Sequence, residues 1–250
     1  MMIETLLRED SEGLCTLTLN RPEKHNALDT ALFERLDAEC AALEQQHAAI
    51  GCVVLRASGR SFCAGADLAA MASGSAAAPR FKPGVIERLA RLPQVVIACV
   101  HGICVTGGLE LALAADFIIA SNSARFADTH GRWGLVAGWG MTQRLPRRVG
   151  PSFARLMMMT GRFIDAAEAL RVGLIDICAP DEELGGQVTA LAREVLANSW
   201  FTNRESKRLL LETDGLPLAA GLAHEHYRHP GSAPDYKERI ALFARRSSDS

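Results

Sequence analysis

Two turns in this chain bring small residues to places where a backbone N–H can meet a ligand. In Ser61-Phe62-Cys63-Ala64-Gly65-Ala66-Asp67-Leu68 the side chains allow close approach, and the N–H of Ala66 lies near the start of a short helical turn. In Val105-Thr106-Gly107-Gly108-Leu109-Glu110 the N–H of Gly107 falls at a helix N-terminus, where unpaired donors and the positive end of the dipole favour negative charge. Two such donors aimed at one carbonyl would polarise it and hold an enolate oxyanion; one donor of this kind is worth about 3–4 kcal/mol in a transition state. Glu110 is the third unusual residue, an acid inside the apolar run Leu109–Ala115. A buried carboxylate is costly, and desolvation raises its pKa towards that of a useful acid or base. Each feature also has a plain reading: the glycines as tight helix–strand packing turns, and Glu110 as a helix N-terminal acid stabilised by the dipole.

The elements that must position these residues alternate along the chain. Leu14–Leu19 alternates polar threonines with Cys15, Leu17 and Leu19, the period of a half-buried strand, and Asn20-Arg21-Pro22 stops it. Asp29 is an N-cap for a helix reaching about His47, with Leu32, Phe33, Leu36, Cys40 and Leu43 at helical spacing. Buried strands are expected at Cys52–Ala57, Val95–Val100 and Asp116–Ala120. Between them fall a mobile small-residue stretch, Ala72–Pro79, a short helix near Val85–Leu92, and the helix that Gly107-Gly108 opens through Ala115. Beyond Pro151 the pattern is helical, at Ser152–Thr160, Asp165–Arg171, Glu182–Ala197, Thr202–Leu211, Leu216–Tyr227 and Asp235–Ala244, with Leu174–Cys178 strand-like. The reading is an α/β core over 1–195 followed by a helical C-terminal region over 196–250.

At 250 residues the chain can bury one large core, and 48% hydrophobic with 22% charged residues is the composition of a globular protein. A net charge of -2 offers no broad field for nucleic acid or an anionic membrane, so an anionic ligand must be held by local groups. The seven cysteines show no C-x-x-C pair and read as reduced core thiols. The start, Met1–Gly13, lacks the basic and apolar segments of a signal peptide, and no apolar run reaches the roughly 18–20 residues of a membrane span, which points to a cytoplasmic protein. His224-Glu225-His226 with His229 reads as a solvated helix face rather than a metal site, because residues two apart on a helix point to different sides and no acid or cysteine set completes a site. Met157-Met158-Met159 reads as core filling, and Trp133 and Trp139 either line an acyl pocket or pack beneath a loop. Lys237, Arg239, Arg245 and Arg246 suit phosphate groups or a cationic helix end. No dinucleotide, Walker or Ser-hydrolase motif is present.

From about Leu14 onward the motifs, taken in order, resemble the crotonase (enoyl-CoA hydratase/isomerase) superfamily. Asn20-Arg21-Pro22…Asn26-Ala27-Leu28 resembles its N-R-P…N-A-L segment, and Phe62 to Leu68 its F-x-A-G-x-D-L turn. His101-Gly102…Gly107-Gly108-Leu109-Glu110-Leu111-Ala112 resembles G…G-G-x-E-L-A, and Thr142-Gln143-Arg144-Leu145…Gly150 resembles T-Q-R-L…G. Thr160-Gly161…Ala166…Glu168-Ala169…Gly173-Leu174 resembles the T-G…A…E-A…G-L stretch. The resemblance implies an α/β fold, a spiral of ββα units, whose helical C-terminal region drives trimers or dimers of trimers. It implies that the N–H groups of Ala66 and Gly107 hold the thioester carbonyl of an acyl-CoA, with Gly108 beside them. It further implies that Lys24, Ala27, Leu28, Ala64, Asp67 and Leu68 border the CoA moiety, and that Glu110 is the first catalytic glutamate of the hydratases.

The second hydratase glutamate is absent. Counting back from Thr142-Gln143-Arg144-Leu145 places His130 there, within Phe126-Ala127-Asp128-Thr129-His130. His130 reads either as the second acid–base group or as a loop residue bonded to Asp128 or Asp67. The leading expectation is hydration of a 2-enoyl-CoA, without metal or redox cofactor, CoA being part of the substrate. Hydrolysis or C–C cleavage of an acyl-CoA or β-diketone, double-bond isomerisation, and an inactive acyl-CoA-binding subunit remain as alternatives.

Overall fold

The structure, a computed structural model, describes residues 4–72 and 80–248. The stretch Ala72–Pro79, expected to be mobile, lies beyond Ala72 outside the described residues. Strands β1 (Leu6–Ser11) and β2 (Leu14–Leu19) form an antiparallel hairpin, helix α1 (Thr30–Gln45) follows, and β3 (Cys52–Ala57) returns parallel to β2. Helices α2 (Leu68–Ala72) and α3 (Phe81–Ala90) lead to β4 (Val95–Val100), then come β5 (Ile103–Val105), α4 (Gly107–Ala112), β6 (Phe117–Ser121) and β7 (Arg125–Ala127). Helices α5 (Met141–Val149) and α6 (Pro151–Thr160), strand β8 (Ile164–Asp165), helix α7 (Ala166–Arg171) and β9 (Ile177–Ala179) complete the sheets. The chain ends in α8 (Leu184–Ala197), α9 (Trp200–Thr213), α10 (Leu218–Arg228) and α11 (Tyr236–Ser248).

One sheet has six strands in the order β1-β2-β3-β4-β6-β9, parallel except for the β1–β2 hairpin; a second has three, β5-β7-β8. Parallel strands covered on both faces read as continuous apolar runs, as in Cys52-Val53-Val54-Leu55. One face of the large sheet carries the main core, in which Leu17, Leu55, Phe33, Leu36, Ile86 and Leu89 are buried; Val54, Ile97 and Ile119 on the other face pack beneath Val188, Ala192 and Val195 of α8. The Asp29 cap is as expected, its carboxylate accepting from the Leu32 N–H at 2.8 Å. The α4 helix stops at Ala112 rather than Ala115, and the strand expected over Leu174–Cys178 is Ile177–Ala179. Helix α3 begins at Phe81, four residues before the apolar positions Val85, Ile86 and Leu89 that mark it.

The two chemistry-bearing turns are stitched together by the backbone. Phe62 and Cys63 donate to the carbonyls of His101 and Ile103 at 2.9 Å each, and Val105 donates back to Cys63 at 3.1 Å. A β-carbon on Gly108 would collide with Cys63, so only glycine lets α4 start so close to the neighbouring turn.

Candidate active site

Leu28 donates to the Gly65 carbonyl at 2.8 Å and accepts from the Asp67 N–H at 3.0 Å. Successive backbone groups of an extended segment alternate in direction, so the N–H of Ala66, between these two, points away from Leu28, and Ala66 lines a cavity. Gly107 is the first residue of α4, where an N–H has no intrahelical acceptor. Thr106 aims it with φ 55° and ψ −118°, a conformation costing a side-chain-bearing residue about 1–3 kcal/mol. That turn is held from three directions: Thr106 donates its N–H to Ala127 at 3.0 Å, its carbonyl accepts from Glu110 at 3.0 Å, and its hydroxyl bonds Thr129 at 2.5 Å. Gly65, at φ +94°, closes the gap, because a β-carbon there would stand 3.3 Å from the Gly107 nitrogen. With only six residues, α4 has a small dipole, so the directed N–H groups matter more than the helix end.

Glu110 is buried, and its two oxygens have different environments. Oε1 accepts from the N–H groups of Trp139 at 2.7 Å and Met141 at 3.0 Å, while Oε2 has no hydrogen-bond partner among the described residues. Burial raises the carboxyl pKa above its ordinary value, against the opposing pull of the Met141 and Trp139 N–H groups and of His130. His130 Nε2 stands 3.7 Å from Oε2, and its Nδ1 is 2.5 Å from Asp128 Oδ1, which also accepts the His130 backbone N–H at 3.1 Å. A buried carboxylate on Nδ1 fixes the proton there and leaves Nε2 to face Glu110. A carboxylate–imidazole–carboxylate row thus runs from Asp128 through His130 to Glu110, able to take a proton from one side of a bound molecule and return it on the other.

Lys24, Ala27, Ala64, Ala66, Asp67, Leu68, Gly107, Glu110 and His130 all line one cavity of about 560 Å³. Leu28 and Gly108 do not line it: Leu28 is buried behind the 65–67 turn and Gly108 backs onto Cys63. Asp67 caps α2 through the Ala70 N–H at 3.1 Å and pairs with Arg21 at 3.1 Å, and Arg21 also meets Asp29 at 3.0 Å. Asn26 is fully buried, accepting from the Arg21 N–H and donating to the carbonyls of Ser58 and Ser61, so the N-R-P…N-A-L segment is a clamp that holds the first turn. Of the two partners expected for His130, Asp128 and Asp67, it is Asp128 that bonds it, which brings into the site an acid that the sequence marks only by its place two residues before His130. His224, in the cluster set aside as a metal site, bonds Glu212 at 2.8 Å.

The family model described as enoyl-CoA hydratase/isomerase matches residues 9–244 of this chain. A crotonyl-CoA hydratase of Syntrophomonas wolfei is 37% identical over 252 residues, covering 97% of this chain and 96% of that protein. A 1,2-epoxyphenylacetyl-CoA isomerase of Escherichia coli is 33% identical over 257 residues, covering 99% and 98%. Among solved structures, an enoyl-CoA hydratase from Bacillus anthracis superposes with a TM-score of 0.91 at 30% identity, over 97% of each chain. With a family match across nearly its whole length, relatives of this identity and a shared fold, the chain belongs to the enoyl-CoA hydratase/isomerase family of the crotonase superfamily.

Proposed function

We propose that this protein hydrates 2-enoyl-CoA thioesters, with Glu110 and His130 as the acid–base pair. The observation that carries the reading is the convergence of Glu110 Oε2 and His130 Nε2, 3.7 Å apart, beside the cavity lined by Ala66 and Gly107. The thioester carbonyl accepts from the N–H groups of Ala66 and Gly107. Glu110 takes a proton from water as the water oxygen bonds the β-carbon, and the double-bond electrons move into an enolate held by the two N–H groups. Glu110 passes that proton to the unprotonated Nε2 of His130, which relays it to the α-carbon and leaves both groups as they began. One water is added and no redox partner is needed. Lys24, Ala27, Ala64, Asp67 and Leu68, on the same cavity, border the CoA moiety; Leu28 and Gly108 support them through the backbone.

The same Asp128–His130 arrangement favours a second reading, in which the imidazole directs water onto the thioester carbonyl and releases free CoA. Ultraviolet assay of crotonyl-CoA separates the two when run beside thiol detection. Loss of conjugation without free thiol, abolished in His130→Ala, supports hydration; thiol release matching substrate loss sinks it.

Among the described residues no helix is long and apolar enough to cross a membrane. We place the protein in the cytoplasm on its seven free thiols, and its assembly as a homotrimer or dimer of trimers on the exposed Leu210, Leu218, Leu222 and Ile240 of the 196–250 region.

A further inference from the structure

Trp139 has a backbone role at Glu110, but its indole stands in a place that role does not explain. The ring lies so close to Gly107 that a β-carbon at that position would collide with it. From α1, Phe33 meets it edge-on, with centroids 5.0 Å apart and planes at 79°, and Lys82 Nζ of α3 lies 6.0 Å from its centre. The indole is therefore wedged between α1, α3 and the start of α4. Beyond it is a second cavity of about 440 Å³ with mixed walls, in which an apolar strip of Pro83, Ala90 and Leu211 lies among charged side chains such as Glu87, Arg91 and Arg144. Gly138 and Trp139 line both cavities.

We propose that Trp139 determines acyl-chain length: its indole closes the active-site cavity at the end away from Lys24 and Leu68, confining the site to short acyl groups. This rests on the acyl-CoA reading of the cavity but not on hydration. A thioester whose carbonyl meets Ala66 and Gly107 has its reacting carbons beside Glu110, and the acyl tail beyond them runs into the indole. Because Phe33 and Gly107 hold the ring on both sides, it cannot swing away without displacing α1 or α4. Shortening it lets a longer chain fill the vacated volume and then reach the second cavity along Pro83, Ala90 and Leu211.

The test is calorimetric binding of butyryl-, octanoyl- and dodecanoyl-CoA to the full chain, to Trp139→Phe and to Trp139→Ala. These saturated thioesters bind without turnover. A hydrophobic pocket discriminates a single methylene by roughly tenfold or more, so the wild-type protein should bind octanoyl-CoA at least about tenfold more weakly than butyryl-CoA. Trp139→Ala should raise the octanoyl-to-butyryl affinity ratio by at least the same factor, with Trp139→Phe in between. Equal affinities in the wild-type protein, or the same ratio in Trp139→Ala, would overturn the proposal; should Trp139→Ala not fold, the wild-type profile and Trp139→Phe decide. Binding that follows the expected order in a protein without hydratase turnover would remove the hydration reading alone. Failure of the wild-type protein to bind any of the three would remove the acyl-CoA reading and this proposal with it.

Discussion

Glu110→Gln separates chemistry from architecture at one atom pair. The glutamine keeps Oε1 where it accepts from Trp139 and Met141 and puts an NH₂ in place of Oε2, 3.7 Å from His130 Nε2, so no packing is lost. Losing an acid–base group should lower kcat by about 10²–10⁴, or about 3–5 kcal/mol of transition-state stabilisation. Stability should move the other way. Burial raises the Glu110 pKa above the ordinary 4.5, so the folded chain holds this proton more tightly than the unfolded chain does. That contribution is full below pH 4.5 and is lost as pH rises through the raised value, above which the wild-type protein carries a desolvated charge. Each factor of ten in proton affinity is worth about 1.4 kcal/mol, and each kcal/mol about 2–4 °C in Tm for a chain of this size. Calorimetric melts at pH 7.5 beside a crotonyl-CoA assay should therefore show an inactive variant at least as stable as its parent. A variant that retains more than about a tenth of the parental kcat, or that is dead and clearly less stable, would refute this account of Glu110.

Asp128→Asn removes the carboxylate that fixes the His130 tautomer; kcat should fall about 10²-fold or more while the KM for crotonyl-CoA changes little, and a parallel rise in KM would point to loop collapse instead. The acid limb of the kcat/KM–pH profile should lie above pH 4.5, since hydration needs Glu110 ionised and its pKa is raised by burial; a limb at or below that value would contradict the assignment. Gly65→Ala places a β-carbon at φ +94° and 3.2 Å from the Val105 carbonyl oxygen, and should cost about 1–3 kcal/mol in denaturant unfolding as well as lowering kcat.

The parts of the fold legible in the sequence were those with strong periodicity. Strand Leu14–Leu19, the Asp29-capped helix and the buried strands Cys52–Ala57 and Val95–Val100 lie where their patterns place them. Leu6–Ser11, Ile103–Val105 and Arg125–Ala127 were not legible: the first is a mostly polar edge strand, and the others have three residues each, too few for a period. Helix α5, Met141–Val149, was hidden because it buries only Met141 and Leu145 and carries Pro146. In the candidate site, the small-residue turns pointed to Ala66 and Gly107 and an acid in an apolar run pointed to Glu110, and the three line one cavity. Asp128 was legible only as a bonding partner of His130 and not as a buried part of the site, because an acid near a histidine in a loop has no periodic signature; the strand that ends at Ala127 turns it inward.

The most direct test of the central claim is to incubate the purified protein with crotonyl-CoA in oxygen-isotope-labelled water and weigh the product by mass spectrometry. The account predicts an intact CoA thioester heavier by one labelled water, with the label on the acyl β-carbon, and no such product from Glu110→Gln. Label appearing in a free carboxylic acid, or unchanged crotonyl-CoA after prolonged incubation, would contradict it.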